Sequence, residues 1–389
     1  MKVLWLASWY PNQLDKFTGD FIQRHARATA LFSDIEVIHI VKDAKGVVTK
    51  NVKEIVASTG RVTEKIIYYK PVKTYVRIID RFLSSVQYKK LYKQAVKKYI
   101  VQNGTPSFIH VHIAMKAGLT ALWLKRRYKI PYLLTEHWGG YLDEAVPNIK
   151  DYNVVYKYYW SKIITGAKVC TFVSTTFQNF MFGKYKIKNS LVIPNVVNTA
   201  VFYPGEKLPS NSHRFIHIFT MIYQKNTKAI LEAMAILKNS ESFELYLYGP
   251  VNSSIESLII KLELQHHVFV KGEVSQEVLS EAIQQSDALI LYSRFETFGC
   301  VLIEANACGV PVIVSELEVF HELIEEGVNG IFVKGENPVA LAEKIKSFIA
   351  QKNDFNKNAI AASAAEKYNY NRVGKQFIEL YEQVLLKRQ

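Results

Sequence analysis

Apolar residues gather in short β-branched or aromatic runs, and longer stretches with helical periodicity separate most of them. VLWLAS, EVIHIV, KIIYYK, FIHVHI, PYLLTEH, KVCTFVS and LVIPN predict strands in the first half. The rhythm restarts at FIHIFT and continues through ELYLYGP, VFVKGE, ALILYS, PVIVSE and GIFVKG. Strands and helices in alternation predict a parallel sheet covered on both faces. The pattern occurs twice, with the polar stretch YPGEKLPSNSH (203–213) between the two occurrences. The prediction is therefore α/β, with two doubly wound, Rossmann-like domains over residues 1–204 and 205–370. A last helix over 371–389 has the first domain as its expected packing partner. No fixed-period repeat relates the halves.

Ligands of open parallel sheets bind beyond the carboxyl ends of the strands, at the crevice where strand order reverses. Two such sheets predict a cleft served by the loops ASWYPNQLDKFTGD, TEHWGG, TMIYQKN, KGEVS and SRFETFG. The most informative segment is FETFGCVLIEANACGVPVI (295–313), where Glu296 and Glu304 flank Phe298-Gly299 directly after ALILYS. A helix starting near Gly299 presents the first-turn N–H groups of Phe298, Gly299, Cys300 and Val301 as an anion site. Glycine lets a ligand approach the backbone closely. Side chains lean toward a helix N-terminus, so Glu304 can reach back to the same ligand. Two acceptors beside an anion site suit a diphosphate with hydroxyls at both ends, as in a nucleotide sugar.

At 389 residues and 49% hydrophobic content the chain can fill two cores, which excludes a disordered protein. Three cysteines, Cys170, Cys300 and Cys308, lie in apolar segments and fit reduced thiols in a cytosol. No run approaches the roughly 18 apolar residues of a spanning helix. The start MKVLWLASWYPN is read as a first buried strand rather than a signal peptide. Charge is uneven: residues 1–200 hold 31 Lys+Arg and 12 Asp+Glu, residues 201–389 hold 18 and 23, so +19 and −5 give the net +14. An anionic partner belongs with the first half. Its most basic piece, residues 81–100, sets Lys89, Lys93 and Lys97 on one side of a helix, with Val86, Val96 and Ile100 on others. Such a helix suits either an anionic membrane surface or plain solvent. No nucleic-acid motif accompanies the charge. His110 and His112 alternate on one strand face, but no further ligand cluster supports a metal site, and they read as packing or wall residues.

Several blocks together resemble the retaining glycosyltransferases of the family-4 type (glycosyl transferases group 1), which have the GT-B fold. They are SRFETFGCVLIEANACGVPVI (293–313) with its E-x7-E pattern, EEGVNGIFV (325–333), VIPNVVNTAVFYP (192–204), QKN (224–226) and WYPN…FTGDFIQRHARA. The resemblance covers the whole chain and implies two domains facing a central cleft. It implies that Glu296 contacts the transferred sugar, Glu304 the nucleotide ribose, and the backbone from Phe298 to Val301 both sugar and diphosphate. Lys225 would pair with the diphosphate, Gly19 would bring the first domain's backbone near the donor phosphate or the acceptor, and His137 would stand beside the reacting sugar. Three positions depart from the pattern. Phe219-Thr220 replaces a Gly-Arg pair and leaves Lys225 without its usual partner charge, Asn198 stands where aspartate is common, and Thr297 where glycine is common.

The implied reaction is hexosyl transfer with retention from a nucleotide sugar such as a UDP- or GDP-sugar. The acceptor would be a glycan or lipid-linked glycan, made for the cell surface in the cytoplasm or on the inner membrane face. No Asp-x-Asp occurs, so no metal or other cofactor is expected. A sugar-nucleotide epimerase or phosphorolytic enzyme is the nearest alternative. An NAD oxidoreductase lacks its G-x-G-x-x-G.

Overall fold

The computed structural model describes residues 1–220, 222–250 and 253–386. The chain divides into two compact units. The first holds Met1–Trp138, Ile149–Asn195 and the chain from Tyr370 on; the second holds Gly139–Asn148 and Val196–Asn369. The change of unit thus falls at Asn195, before the polar stretch near residue 205 where the sequence places it.

The first unit's strands are β1 (Lys2–Ala7), β2 (Asp34–Lys42), β3 (Val52–Thr59), β4 (Val62–Tyr69), β5 (Ile109–His112), β6 (Tyr132–Glu136), β7 (Val169–Phe172) and β8 (Ser190–Val192). They form one sheet in the order β3-β4-β2-β1-β5-β6-β7-β8. All neighbours run parallel except β3, which lies antiparallel on β4. Edge strand β3 is the one strand the sequence pattern misses. Its side chains are mostly exposed, so burial imposes no apolar run on it. Central strands are apolar throughout because both faces are covered; Val3 to Ala7 are all buried.

Its helices are α1 (Asp20–Thr29), α2 (Arg77–Asn103), α3 (Gly118–Tyr128), α4 (Val154–Gly166), α5 (Thr175–Lys184) and, from the chain's end, the one over Tyr370–Leu386. From β4 to β8 each crossover steps the same way along the sheet, so right-handed connections put α2 to α5 on one face. The step from β1 to β2 runs oppositely and puts α1 on the other face. The helix over Tyr370–Leu386 packs against α1, with Gly374 close on the carbonyl of Ala28. Any side chain at 374 would meet that backbone. Helix α2 is seated by Ser84, Tyr88, Tyr92, Ala95, Val96 and Tyr99. The Tyr92 hydroxyl donates to the carbonyls of Ala7 (3.0 Å) and Ile38 (2.7 Å), which satisfies a phenol that would be costly to bury alone. Lys89 and Lys97 are exposed and Lys93 is half-buried, while Val86 faces solvent.

The second unit's strands are β9 (His213–Ile218), β10 (Phe243–Tyr248), β11 (Val268–Gly272), β12 (Ala288–Leu291), β13 (Val312–Ser315) and β14 (Gly330–Val333). All are parallel, in the order β11-β10-β9-β12-β13-β14. Phe215, Leu245, Leu247, Ile290 and Ile313 lead a continuous core, each side chain contributing about 1.5–3 kcal/mol by leaving water. Helices α6 (Ile222–Lys225), α7 (Thr227–Leu237), α8 (Ser253–Lys261), α9 (Gln276–Gln284), α10 (Cys300–Ala307), α11 (Pro338–Gln351) and α12 (Lys357–Tyr368) connect the strands; the Tyr370–Leu386 helix of the first unit is then α13. The chain leaves β9 toward β10 on one side and leaves β12 toward β13 on the other, so the sheet's topological switch point lies between β9 and β12. In the first unit the equivalent point lies between β1 and β5.

Candidate active site

The switch point of the second unit gathers the predicted donor-binding residues other than Gly19, which lies in the first unit. Strand β9 delivers Phe219 and Thr220 and then α6, which ends in Lys225. Strand β12 delivers the loop from Tyr292 to Gly299 and then α10. Two hydrogen bonds stitch these segments: Arg294 N donates to Gln224 O (2.8 Å), and Gln224 Nε2 donates to Phe295 O (3.1 Å). Held this way, Lys225 Nζ donates to Glu296 Oε1 at 2.6 Å, with side chains only 12% and 7% exposed. Ser293 Oγ donates to the same oxygen (3.1 Å), and Ser315 Oγ anchors the Ser293 carbonyl (2.7 Å).

The sequence reading assigns Lys225 to the diphosphate and Glu296 to the sugar; the structure joins the two. The charge facing Lys225 is therefore Glu296, in a chain that lacks the family's arginine. Phe219, at that position, is a core side chain stacked on His217 (ring centroids 5.6 Å apart). An ammonium has three donors and the carboxylate two oxygens, so the pair keeps capacity for a ligand on each partner.

Gly299 caps α10 with φ 101°, and a Cβ there would stand 3.0 Å from the Phe320 ring. The left-handed turn and the lack of room both select glycine. Phe298 is buried, edge-on to Tyr368 at 5.9 Å; Cys300 and Val301 are half-buried on the first turn. Glu304, one turn further, is 4% exposed. Asn198 holds a turn by accepting Ala200 N (3.2 Å).

The first unit's switch point holds imidazoles. Gly19 caps α1 at φ 80°, so close to Trp9 and Tyr10 that a Cβ would meet their backbone at 2.7 Å. His25 lies within α1, His112 ends β5, and His137 follows β6. Donor or acceptor nitrogens of the three lie within 4.8 Å of one another. The His137 ring sits 4.6 Å from Phe21 and 5.5 Å from His25. His112 stacks on Trp5 (4.0 Å) and lies nearly parallel to His137 at 6.2 Å. Burial, reinforced by neighbouring histidines, holds His112 and His137 well below the ordinary imidazole value, and burial brings His25 to about 4. All three are neutral near pH 7.

The loops that carry them are fixed by Glu136. Its Oε1 accepts the backbone N–H of His137 (3.0 Å) and Trp138 (3.1 Å), and Oε2 accepts Ala114 N (3.0 Å). One buried carboxylate thus joins the turns after β5 and β6.

Of the pair read in sequence as packing or wall residues with no further ligand cluster, His110 is a packed core residue: its nitrogens meet Tyr381 Oη and Thr135 Oγ1, both at 2.7 Å. His112 differs, because the fold brings His25 and His137 to it as the further ligand-capable cluster that the sequence does not reveal. Three imidazoles are competent donors for a divalent metal. The set contains no carboxylate, Glu136 is occupied by backbone N–H groups, and the buried Arg24 guanidinium adds positive charge beside His25. Neutral imidazoles can also donate to or accept from uncharged ligands such as sugar hydroxyls.

Comparison with known proteins agrees with the geometry. Residues 204–367 match the model described as "Glycosyl transferases group 1", and residues 48–201 match "Glycosyltransferase Family 4". A Campylobacter jejuni N,N'-diacetylbacillosaminyl-diphospho-undecaprenol alpha-1,3-N-acetylgalactosaminyltransferase is 28% identical over 166 residues, 42% of this chain and 43% of that enzyme. Sucrose-phosphate synthase from Thermosynechococcus elongatus covers all of both chains with TM-score 0.81 at 18% identity. Anabaena HepE, solved with UDP and glucose, has TM-score 0.72 at 16% identity over 98% of this chain and 100% of its own. The fold is that of these GT-B enzymes.

Proposed function

The chain belongs to the group 1 glycosyltransferases, and from that premise we propose that it moves a hexose-type sugar, with retention and without a metal, from a nucleotide sugar to a glycan or lipid-linked glycan acceptor. The observation that carries this is the Lys225–Glu296 pair at the switch point beside the α10 N-terminus. Positive charge for a departing nucleoside diphosphate comes from the Lys225 ammonium and the first-turn N–H groups of α10. Glu296 accepts sugar hydroxyls and Glu304 the ribose. In the first unit the neutral His137 imidazole serves a sugar hydroxyl, and Gly19 lets backbone come close to phosphate or acceptor.

The step keeps its balance within the reactants. An acceptor hydroxyl oxygen bonds to the anomeric carbon on the face the phosphate leaves, the carbon–phosphate oxygen bond breaks, and the proton passes to a leaving phosphate oxygen. A complex of a protein sharing the fold with UDP and glucose, and the lipid diphosphate in a relative's name, support the donor and acceptor classes. Cell-surface polysaccharide synthesis at the cytoplasmic membrane face follows from such an acceptor. Among the described residues no helix is long and apolar enough to cross a membrane.

The test is a screen of UDP- and GDP-sugars by ligand-induced stabilisation, then product NMR with and without polyprenyl-diphosphate glycans. Retained stereochemistry and strict need for an acceptor are expected. Turnover without acceptor, or with phosphate in its place, would assign the site to an epimerase or a phosphorolytic enzyme.

A further inference from the structure

Helices α2, α3 and α4 lie side by side on one face of the first sheet, and between them runs an open groove of about 870 Å³. Its cations are Lys89 and Lys93 from α2, Lys125, Arg126 and Lys129 from the end of α3, and Lys162 from α4. Among the described residues no aspartate or glutamate lines it. Trp123, Tyr158 and Tyr159 form the aromatic wall, and Lys93 Nζ lies 5.2 Å over the Trp123 ring. Aromatic rings and one carbonyl meet part of this charge, with Lys162 Nζ 5.5 Å over the Tyr158 ring and Lys125 Nζ donating to Gly166 O (2.8 Å), but no acid among the described residues neutralises it, so the groove keeps a positive field that favours an anionic partner.

The apolar residues beside the groove follow a pattern. At about 100° per residue, Ile78, Phe82 and Val86 share one stripe of α2 with Lys89 and Lys93, so Val86 lies on the lysine side and not on another side as the sequence pattern suggests, while Val96 is buried. Ile78 is 79% exposed and Phe82 66%. On α4 the same geometry sets Val154, Val155, Tyr158 and Tyr159 along the exposed side that ends in Lys162, with Val154 79% exposed. Both helices return from strands of one parallel sheet, so their first turns lie at the same end of it. Each helix therefore presents bulky apolar side chains at that end and cations behind them. Solvent alone gives no reason to expose isoleucine, phenylalanine and two valines in register on two helices.

We propose that this α2–α3–α4 face docks on an anionic phospholipid bilayer. The apolar residues of the first turns enter the headgroup boundary, and the groove's cations gather lipid phosphates. Exposed apolar and aromatic side chains beside cations are the features of a monotopic membrane face, and each basic residue near the surface adds to the attraction. The inference rests on the reading of a membrane-held acceptor, and it extends the lysine helix 81–100 to a surface built from three helices.

Flotation of the full chain with phosphatidylcholine vesicles, with and without phosphatidylglycerol, tests it. The protein should float only with the anionic vesicles, and less so as salt rises. Neutralising Lys89, Lys93 and Lys162 together to glutamine should weaken binding by about 100-fold. Phe82→Ser with Val154→Ser should weaken it by about 10-fold with the cations intact, circular dichroism confirming that both variants fold. Equal flotation with neutral vesicles, or undiminished binding by the lysine variant, would overturn the proposal. Retention on DNA or heparin without flotation would also overturn it, and would assign the groove to a soluble polyanion. Transfer to detergent-dispersed polyprenyl-diphosphate glycans, measured separately, tests the activity: flotation without transfer removes the proposed reaction and leaves the docking surface standing.

Discussion

The two units place their candidate residues at the same topological point and solve the electrostatics there in opposite ways. In the second unit the switch point carries formal charge, Lys225 against Glu296, beside a helix start. In the first it carries neutral imidazoles, kept neutral by burial. One doubly wound plan thus supplies a charged grip suited to a diphosphate and an uncharged hydrogen-bonding surface suited to hydroxyls. What differs is the residue delivered at each strand end, while the backbone geometry is shared.

Acid should separate the units most sharply. Five histidines are buried in the first unit (His25, His39, His110, His112 and His137) and one, His217, in the second. Burial lowers His25, His39 and His217 to about 4 from 6.5. A depressed value means the folded state binds fewer protons than the unfolded one, so stability is full above pH 6.5 and is lost as pH falls toward 4. Each such histidine removes about 3 kcal/mol over that window. Hydrogen exchange followed from pH 7 to 5 should show the first unit opening before the second; simultaneous opening would break the contrast.

The second-largest effect belongs to the charged pair. Glu296→Ala should lower kcat by about 1,000-fold and leave the Lys225 ammonium buried without its partner, at about 3–5 kcal/mol in urea unfolding. Adding Lys225→Met should recover most of that stability and none of the rate. His137→Ala should cost about 100-fold in kcat. The wild-type rate should stay level as pH falls through 6.5, because the imidazole titrates far below that value. A rate limb centred near 6.5 would show a charged histidine and erase the distinction between the units. Smallest are the glycines. Gly19→Ala combines positive φ with backbone contact and should cost about 2–3 kcal/mol, whereas Gly46→Ala, with φ 76° and open space, should cost about 1 kcal/mol.

Thirteen of the strands were legible: central ones such as β1, β5, β12 and β13 are buried on both faces and must be apolar, and partly exposed ones such as β8 and β11 still carry a short β-branched or aromatic run. Strand β3 was not, since hydrogen bonding to β4 rather than burial holds it in place. The seat of α2 was missed for a related reason: tyrosines form it, and periodicity does not show whether a tyrosine faces in or out. At the site, Glu296, Gly299 and Glu304 were readable because a local turn and one helix set their relation. The Lys225–Glu296 contact and the meeting of His25, His112 and His137 depend on strand order, which no local spacing encodes. An acidic residue immediately before His137 was the available signal for Glu136; its three backbone partners could not be inferred.

The return of α13 to α1 sets the order in which the protein can be finished. Every residue of the second unit leaves the ribosome before the segment that seals the first. Phe377 and Tyr381, which close over Trp5 and His110, emerge only after the whole second unit. The unit that begins first is completed last, and until then its nascent sheet keeps a raw apolar flank in the cell.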